Sequence, residues 1–256
     1  MREFFMNLFE KTKYPEITLF SGWHFMYIIL IVGLTIGLAF LIRNKSEKVK
    51  STVCKTLAYA LISVYIADFF IMPLYGVDLG GYLDKLPFHF CTATGVLACF
   101  AQFNKKSGWM KEAVAALAIV SSLMYITYPG SALGEIGTFS YKVVQTFVYH
   151  GLLFAWGVLF VATKHTELKW KNIWKPLLLI VSIVLWAAFG NAVYADYDWC
   201  FITGSTFPFI PTWLMPFVVI GAVFGMVAII YLINYATKKI IEKNRKKKEL
   251  KAVETK

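Results

Sequence analysis

Charge is scarce in this chain: Asp, Glu, Lys and Arg make up 16% of 256 residues, against 58% hydrophobic and 17% aromatic. So few charges cannot cover the surface of a soluble domain, and the mean hydropathy is +0.61. The composition is that of an all-α polytopic membrane protein. Acidic residues are scarcer still, 15 against 26 Lys and Arg, for a net charge of +11. The basic residues fall in short runs between apolar stretches rather than along one face. That pattern reads as topology and excludes nucleic-acid binding. Cysteine is limited to Cys54, Cys91, Cys99 and Cys200, with no CxxC and no metal-ligand spacing. With only Cys200 in an exterior loop, a disulfide framework is excluded too. The N-terminus lacks the pattern of a cleavable signal peptide, and the chain carries no internal repeat.

What is present is a series of long apolar runs. A bilayer-spanning helix needs about 20 mostly apolar residues. Seven stretches qualify, near 24–42, 56–75, 86–103, 112–128, 141–163, 174–195 and 213–236. Residues 1–23 carry Phe4, Phe5, Leu8 and Phe9 at helical spacing and read as an exterior amphipathic segment lying in the interface. The membrane domain covers 24–236, and 237–256 form a basic cytoplasmic tail attracted to anionic lipid. Arg43, Lys45, Lys48, Lys50 and Lys55 follow the first stretch, Lys105, Lys106 and Lys111 the third, and Lys164, Lys169, Lys171 and Lys175 the fifth. With the tail lysines they put most of the positive charge on one side, so the N-terminus is expected outside and the C-terminus inside. The aromatic loops around Tyr128 and Phe207–Trp213 read as interface belt ahead of the alternative, a lid near the headgroups.

Polar residues inside apolar stretches are costly and point to function. Taking about 1.5 Å of helix per residue from the exterior ends, Cys91 lies about 8 Å deep, His150 about 13 Å, Asp68 about 10 Å and Asn191 about 6 Å. Four polar groups on four helices thus share the outer half of the bilayer. The inner half holds little beyond Cys99, Ser121, Ser122 and Ser182. Each also has a plainer reading: a core histidine bonded to a carbonyl, an interhelical tie for Asp68 or Asn191, a packing residue for Cys91. Cys91 shares a helical face with Thr94, Gly95 and Ala98, a small-residue strip that admits a helix or lipid chain. His89 lies about 200° around a regular helix from Cys91 and is the weaker partner.

These residues permit thiol nucleophilic catalysis. A histidine within reach of a buried thiol makes the thiolate available, and Asp68 or Asn191 would orient the imidazole. Cys91 is then the nucleophile and His150 the base, with Asp68, His89 and Asn191 as binding or orienting groups. The rival expectations are a proton-coupled transporter or small-molecule binding protein using Asp68 and His150, and a hydrolase or accessory protein of envelope synthesis.

Leu86-Pro87-Phe88-His89-Phe90-Cys91, followed by His150-Gly151 in a later stretch, resembles the YwaF-type integral membrane proteins. These are similar to the transmembrane protein 164 phospholipid acyltransferases, whose catalytic pair is a cysteine and a histidine. The resemblance runs from the first stretch to the loop after the sixth and implies Cys91 and His150 as that pair. It aligns Asn191 and Tyr194 with an asparagine and tyrosine near the end of the sixth stretch, after which Ala195–Cys200 depart from the pattern. It implies acyl transfer between membrane phospholipid and lyso-lipid in the outer leaflet of the plasma membrane, with no cofactor and no metal. An exterior site argues against a cytoplasmic acyl-CoA donor.

Overall fold

The computed structural model describes residues 15–71, 79–133, 137–194, 196–203 and 209–254. The regular structure of these residues is helical. α1 spans Gly22–Ile42, α2 Glu47–Ile71, the short α3 Leu79–Asp84 and α4 Phe90–Phe103. α5 spans Lys111–Thr127, α6 Tyr141–Ala162, α7 Trp174–Val193 and α8 Met215–Glu254. Among the described residues the only β pairing is an isolated bridge, Glu16 with Gly137. In a medium without water, helices satisfy their own backbone groups, which is why apolar runs of this length fold so.

Each expected stretch coincides with a helix. Five of them, α1, α2, α6, α7 and α8, are long and apolar enough to cross a membrane. α4 and α5, with 14 and 17 residues, are shorter. α5 is the hub: every residue from Glu112 to Ser122 is buried. Its run of Ala113, Ala115, Ala116 and Ala118 lets neighbouring backbones come close, and at Gly157 of α6 a Cβ would stand 3.0 Å from the Ala115 carbonyl oxygen. α6 is likewise interior, with 72% of its most apolar window buried, against 17% for α1 and for α8. The outer helices therefore turn their apolar faces outward, as lipid-facing helices do.

The third stretch departs from expectation in an informative way. Residues 86–89 are not helical: Pro87 disfavours helix in the residue before it, and α4 begins only at Phe90. Non-helical backbone is tolerated at such a depth only where protein satisfies it. Here Leu86 O accepts from Thr92 Oγ1 at 3.4 Å, Pro87 O from Trp186 Nε1 at 3.1 Å, and Phe88 O from Cys200 Sγ at 3.1 Å. A depth for Cys91 counted as helix from Leu86, and an angle to His89 taken from a regular helix, therefore do not apply. The amphipathic segment expected over 1–23 falls mostly on residues 1–14, outside the described residues. Of the remainder, Ile17 is fully buried with Tyr27, Ala132, Val143 and Phe147. The loop residues Tyr75, Asp78, Glu135, Phe207 and Pro208 also lie outside the described residues.

Candidate active site

Cys91 is the second residue of α4. His89 caps the helix with extended backbone (φ −80°, ψ 153°), and its side chain makes no capping bond. The first backbone N–H groups of a helix lack intrahelical acceptors, and the helix dipole adds partial positive charge there. Such a position favours a negative charge developing on a bound group, such as an oxyanion. Cys91 Sγ donates to the Ser121 carbonyl of α5 at 3.4 Å, and the Tyr149 hydroxyl of α6 donates to the Cys91 carbonyl at 3.3 Å. Gly95 permits this approach, since a Cβ there would fall on the Tyr149 hydroxyl. The small-residue face of α4 thus receives another helix, through a tyrosine.

His150 is buried in α6 with Nδ1 2.7 Å from the Thr146 carbonyl oxygen. A carbonyl only accepts, so Nδ1 is the donor and a neutral ring keeps its lone pair on Nε2. That contact is the one expected of a core histidine, and it also fixes the tautomer that a base acting through Nε2 needs. Tyr125 of α5 stacks on the imidazole at 3.7 Å and 8°, and Tyr149 meets it edge-on at 5.3 Å. Ser121 and Tyr125 lie one turn apart on α5. Cys91 and His150, 59 residues apart in sequence, therefore meet consecutive turns of one helix at the junction of α4, α5 and α6. The thiol's hydrogen bond goes to Ser121 rather than to the imidazole. Around the junction, the Thr94 and Ser121 hydroxyls are buried with no hydrogen-bond partner among the described residues. A buried hydroxyl without a partner costs about 1–3 kcal/mol, so both stand out from the satisfied polar groups around them.

The other expected residues divide into two groups. Asp68, on α2, is buried and paired with Lys85 Nζ at 2.7 Å; Tyr141 of α6 also bonds to it. The Lys85 carbonyl accepts from Tyr65 of α2 at 2.5 Å. Asn191 stands apart from the Cys–His junction. Its side chain takes the Trp199 N–H at 2.9 Å and donates to the Trp199 carbonyl at 3.2 Å, clamping the loop Asp198–Thr203. That loop turns through left-handed Cys200 and Phe201 (φ 60° and 57°). It meets His89 through the Cys200 N–H, 3.4 Å from Nδ1, and through the Phe201 ring. Asn191 and His89 thus hold the loop over the turn leading into α4, and Cys200, expected in an exterior loop, is fully buried.

Sequence reasoning missed Lys85, Tyr125 and Tyr149, because a loop lysine and tyrosines in apolar runs look like topology and core. It also missed His24, whose Nδ1 accepts from Phe20 N at 3.0 Å and whose Nε2 meets the Ile126 carbonyl at 2.8 Å. Both nitrogens of that ring are used, so His24 is a tie between α1 and α5. On the far side of the molecule, Glu112 accepts from Lys169 N at 2.6 Å, Asn172 Nδ2 at 2.7 Å and the Tyr231 hydroxyl at 3.1 Å, with Lys175 Nζ at 3.7 Å. A carboxylate at the start of an apolar run was the available signal.

No curated protein and no solved structure matches the chain. The family comparison does: the TMEM164 family is matched over residues 19–233, which takes in all of α1 to α7 and most of the apolar part of α8. With that match, and with its apolar helices, the chain is a membrane protein and belongs to the TMEM164 family.

Proposed function

We propose that this protein is a plasma-membrane acyltransferase that moves a fatty acyl chain between glycerolipids of the outer leaflet, with Cys91 as nucleophile and His150 as general base. The observation that carries the reading is the convergence of Cys91, at a helix N-terminus, and His150, in the Nδ1–H tautomer, on consecutive turns of α5. The two buried unpartnered hydroxyls, Thr94 and Ser121, support it, as does membership of the TMEM164 family.

The chemistry balances without a cofactor. The thiol turns from the Ser121 carbonyl toward His150, whose Nε2 takes its proton. The thiolate attacks the ester carbonyl of a phospholipid, with the α4 N-terminus facing the developing oxyanion. The C–O ester bond breaks, a C–S bond forms, and the departing glycerol oxygen takes the proton from His150. In the second half His150 takes the proton of a lyso-lipid hydroxyl, whose oxygen attacks the thioester. The C–S bond breaks and the thiol recovers the proton.

In this reading all seven helices other than α3 cross the bilayer, with α5 and α6 innermost. The N-terminus is outside, and the basic tail rests on anionic lipid inside. The test is transfer in liposomes from a phospholipid with a labelled acyl chain to an unlabelled lyso-lipid. Label should reach the acceptor with wild type and fall by about a thousandfold or more in Cys91→Ala and in His150→Ala. Label released as free fatty acid would change the reaction to hydrolysis. Full transfer by both variants would overturn the reading. The transporter reading would be favoured if Asp68→Asn abolished function while Cys91→Ala kept it.

A further inference from the structure

The proposed nucleophile and base sit on different helices, and in the resting protein the thiol bonds to Ser121 and the imidazole to Thr146. Something must therefore set how far apart they stand. α4 lies mainly against α5 and α2 and only lightly against α6. Tyr149 stands at that thin contact, 5% exposed. Its hydroxyl donates to the Cys91 carbonyl at 3.3 Å, and its ring meets the His150 imidazole edge-on at 5.3 Å. Consecutive helical residues point about 100° apart, which lets α6 turn Tyr149 to α4 and His150 to Tyr125 of α5. The tyrosine is itself held: the Tyr65 ring of α2 lies 6.0 Å away, centroid to centroid, and the hydroxyl fills the notch left by Gly95. Cys91 is thus tied twice, through its side chain to α5 and through its carbonyl to α6. Turning the thiol toward His150 breaks the first tie and leaves the second.

Resting on the acyltransferase reading, we propose that Tyr149 is a positioning residue, whose hydroxyl fixes the first turn of α4 so that the Cys91 thiol, on leaving Ser121, meets His150. It acts through the Cys91 backbone and forms no bond with the reacting ester. Phenylalanine would pack on Tyr65 and His150 equally well, so what the hydroxyl adds is the tie to Cys91. A base takes a proton only within about 2.6–3.2 Å, and a misplacement of about 1 Å can cost a hundredfold in rate. One hydrogen bond at the joint between nucleophile and base therefore has an effect beyond its own strength. Gly95 belongs to the same device, because a side chain there would displace the hydroxyl.

The test reads the help His150 gives to the thiol, apart from any turnover. Full-length protein in detergent is treated with iodoacetamide, and alkylation of the Cys91 peptide is followed by mass spectrometry in wild type, Tyr149→Phe, His150→Ala and the double variant. His150→Ala should slow alkylation by about tenfold, and Tyr149→Phe should slow it about as much. The double variant should be little slower than either, because the tyrosine acts through the histidine. A tyrosine with only a packing role would behave otherwise: its loss would loosen the site, speed alkylation and leave the His150 effect intact. Additive slowing, unchanged alkylation or faster alkylation in Tyr149→Phe therefore overturns the proposal, and so does alkylation indifferent to His150. Should Tyr149→Phe not fold, Gly95→Ala decides: by displacing the hydroxyl it should give the same slowing and the same indifference to His150, and wild-type alkylation there contradicts the proposal. In the liposome assay Tyr149→Phe should lower kcat by about tenfold or more with KM for the lyso-lipid within about twofold of wild type. Non-additive slowing of alkylation with no acyl transfer by wild type would keep the tie and discard the acyltransferase reading. Transfer lost in Cys91→Ala and His150→Ala but full in Tyr149→Phe would do the reverse.

Discussion

Gly95 and Tyr149 form the closest approach in the candidate site: the tyrosine hydroxyl occupies the space a Cβ would need and hydrogen-bonds to the nucleophile's own carbonyl. Gly95→Ala is therefore expected to push Tyr149 away, costing about 1–3 kcal/mol of stability as overpacking does. Adding Tyr149→Phe, which deletes the obstructing oxygen, should recover part of the loss. Thermal unfolding of the two single variants and the double variant checks this, and additive losses would contradict it. A second prediction concerns His165, in the loop after α6, bonded through Nδ1 to Thr163 at 2.7 Å and stacked on Phe160. Burial first, and then Lys111 and Lys50, hold its pKa below the usual 6.5, against an opposing pull from Glu47. The unfolded chain then binds the proton at a higher pH than the folded one. His165 thus lowers stability as pH falls through about 6.5 and below, and has no such effect above it. Melting temperature followed from pH 7.5 to 5.5 should fall more steeply in wild type than in His165→Gln. At this scale the sequence was legible where an ionisable group interrupts an apolar run, as at Cys91 and His150. It was silent on Tyr125 and Tyr149, because an aromatic residue in a membrane helix carries no mark of which group it meets 25 or 58 residues away.

Among the elements, the turn leading into α4 is the departure from a simple bundle. Pro87 announced it, but its tolerance depends on Trp186, Cys200 and Thr92, which reach the carbonyls from elsewhere. An apolar alphabet cannot separate a helix from a buried turn that neighbours satisfy. Asn191 serves the same region by clamping Trp199 with two hydrogen bonds. Asn191→Ala should release the loop Asp198–Thr203, with a loss of about 1–3 kcal/mol. Faster proteolysis at Phe201 would report the release, and unchanged cleavage would contradict the clamp. The Glu112 network offers a contrasting element test at the far end of α5. Removing a carboxylate that serves a backbone N–H, an amide, a hydroxyl and an ammonium should cost about 3–5 kcal/mol in Glu112→Ala. Acyl transfer per folded molecule should persist in that variant, because nothing in the network touches the Cys–His junction.

For the whole molecule, the sheath of lipid-facing helices around α5 and α6 explains why hydropathy located every long helix. The same signal could not tell which helices lie inside, since interior and lipid-facing helices are both apolar; burial of α5 on all sides comes from its alanines and from Gly157 across it. That arrangement sets the Cys–His junction where α4 and α6 meet α5. The central claim is that Cys91 carries the acyl chain as a thioester, and trapping that thioester tests it most directly. Protein is incubated in liposomes with phospholipid and without lyso-lipid acceptor, quenched in acid, and the peptide containing Cys91 is weighed by mass spectrometry. The account predicts an acyl adduct on Cys91 that neutral hydroxylamine removes, lost in Cys91→Ala and strongly reduced in His150→Ala. An unmodified Cys91 in protein that is still transferring acyl chains would contradict it.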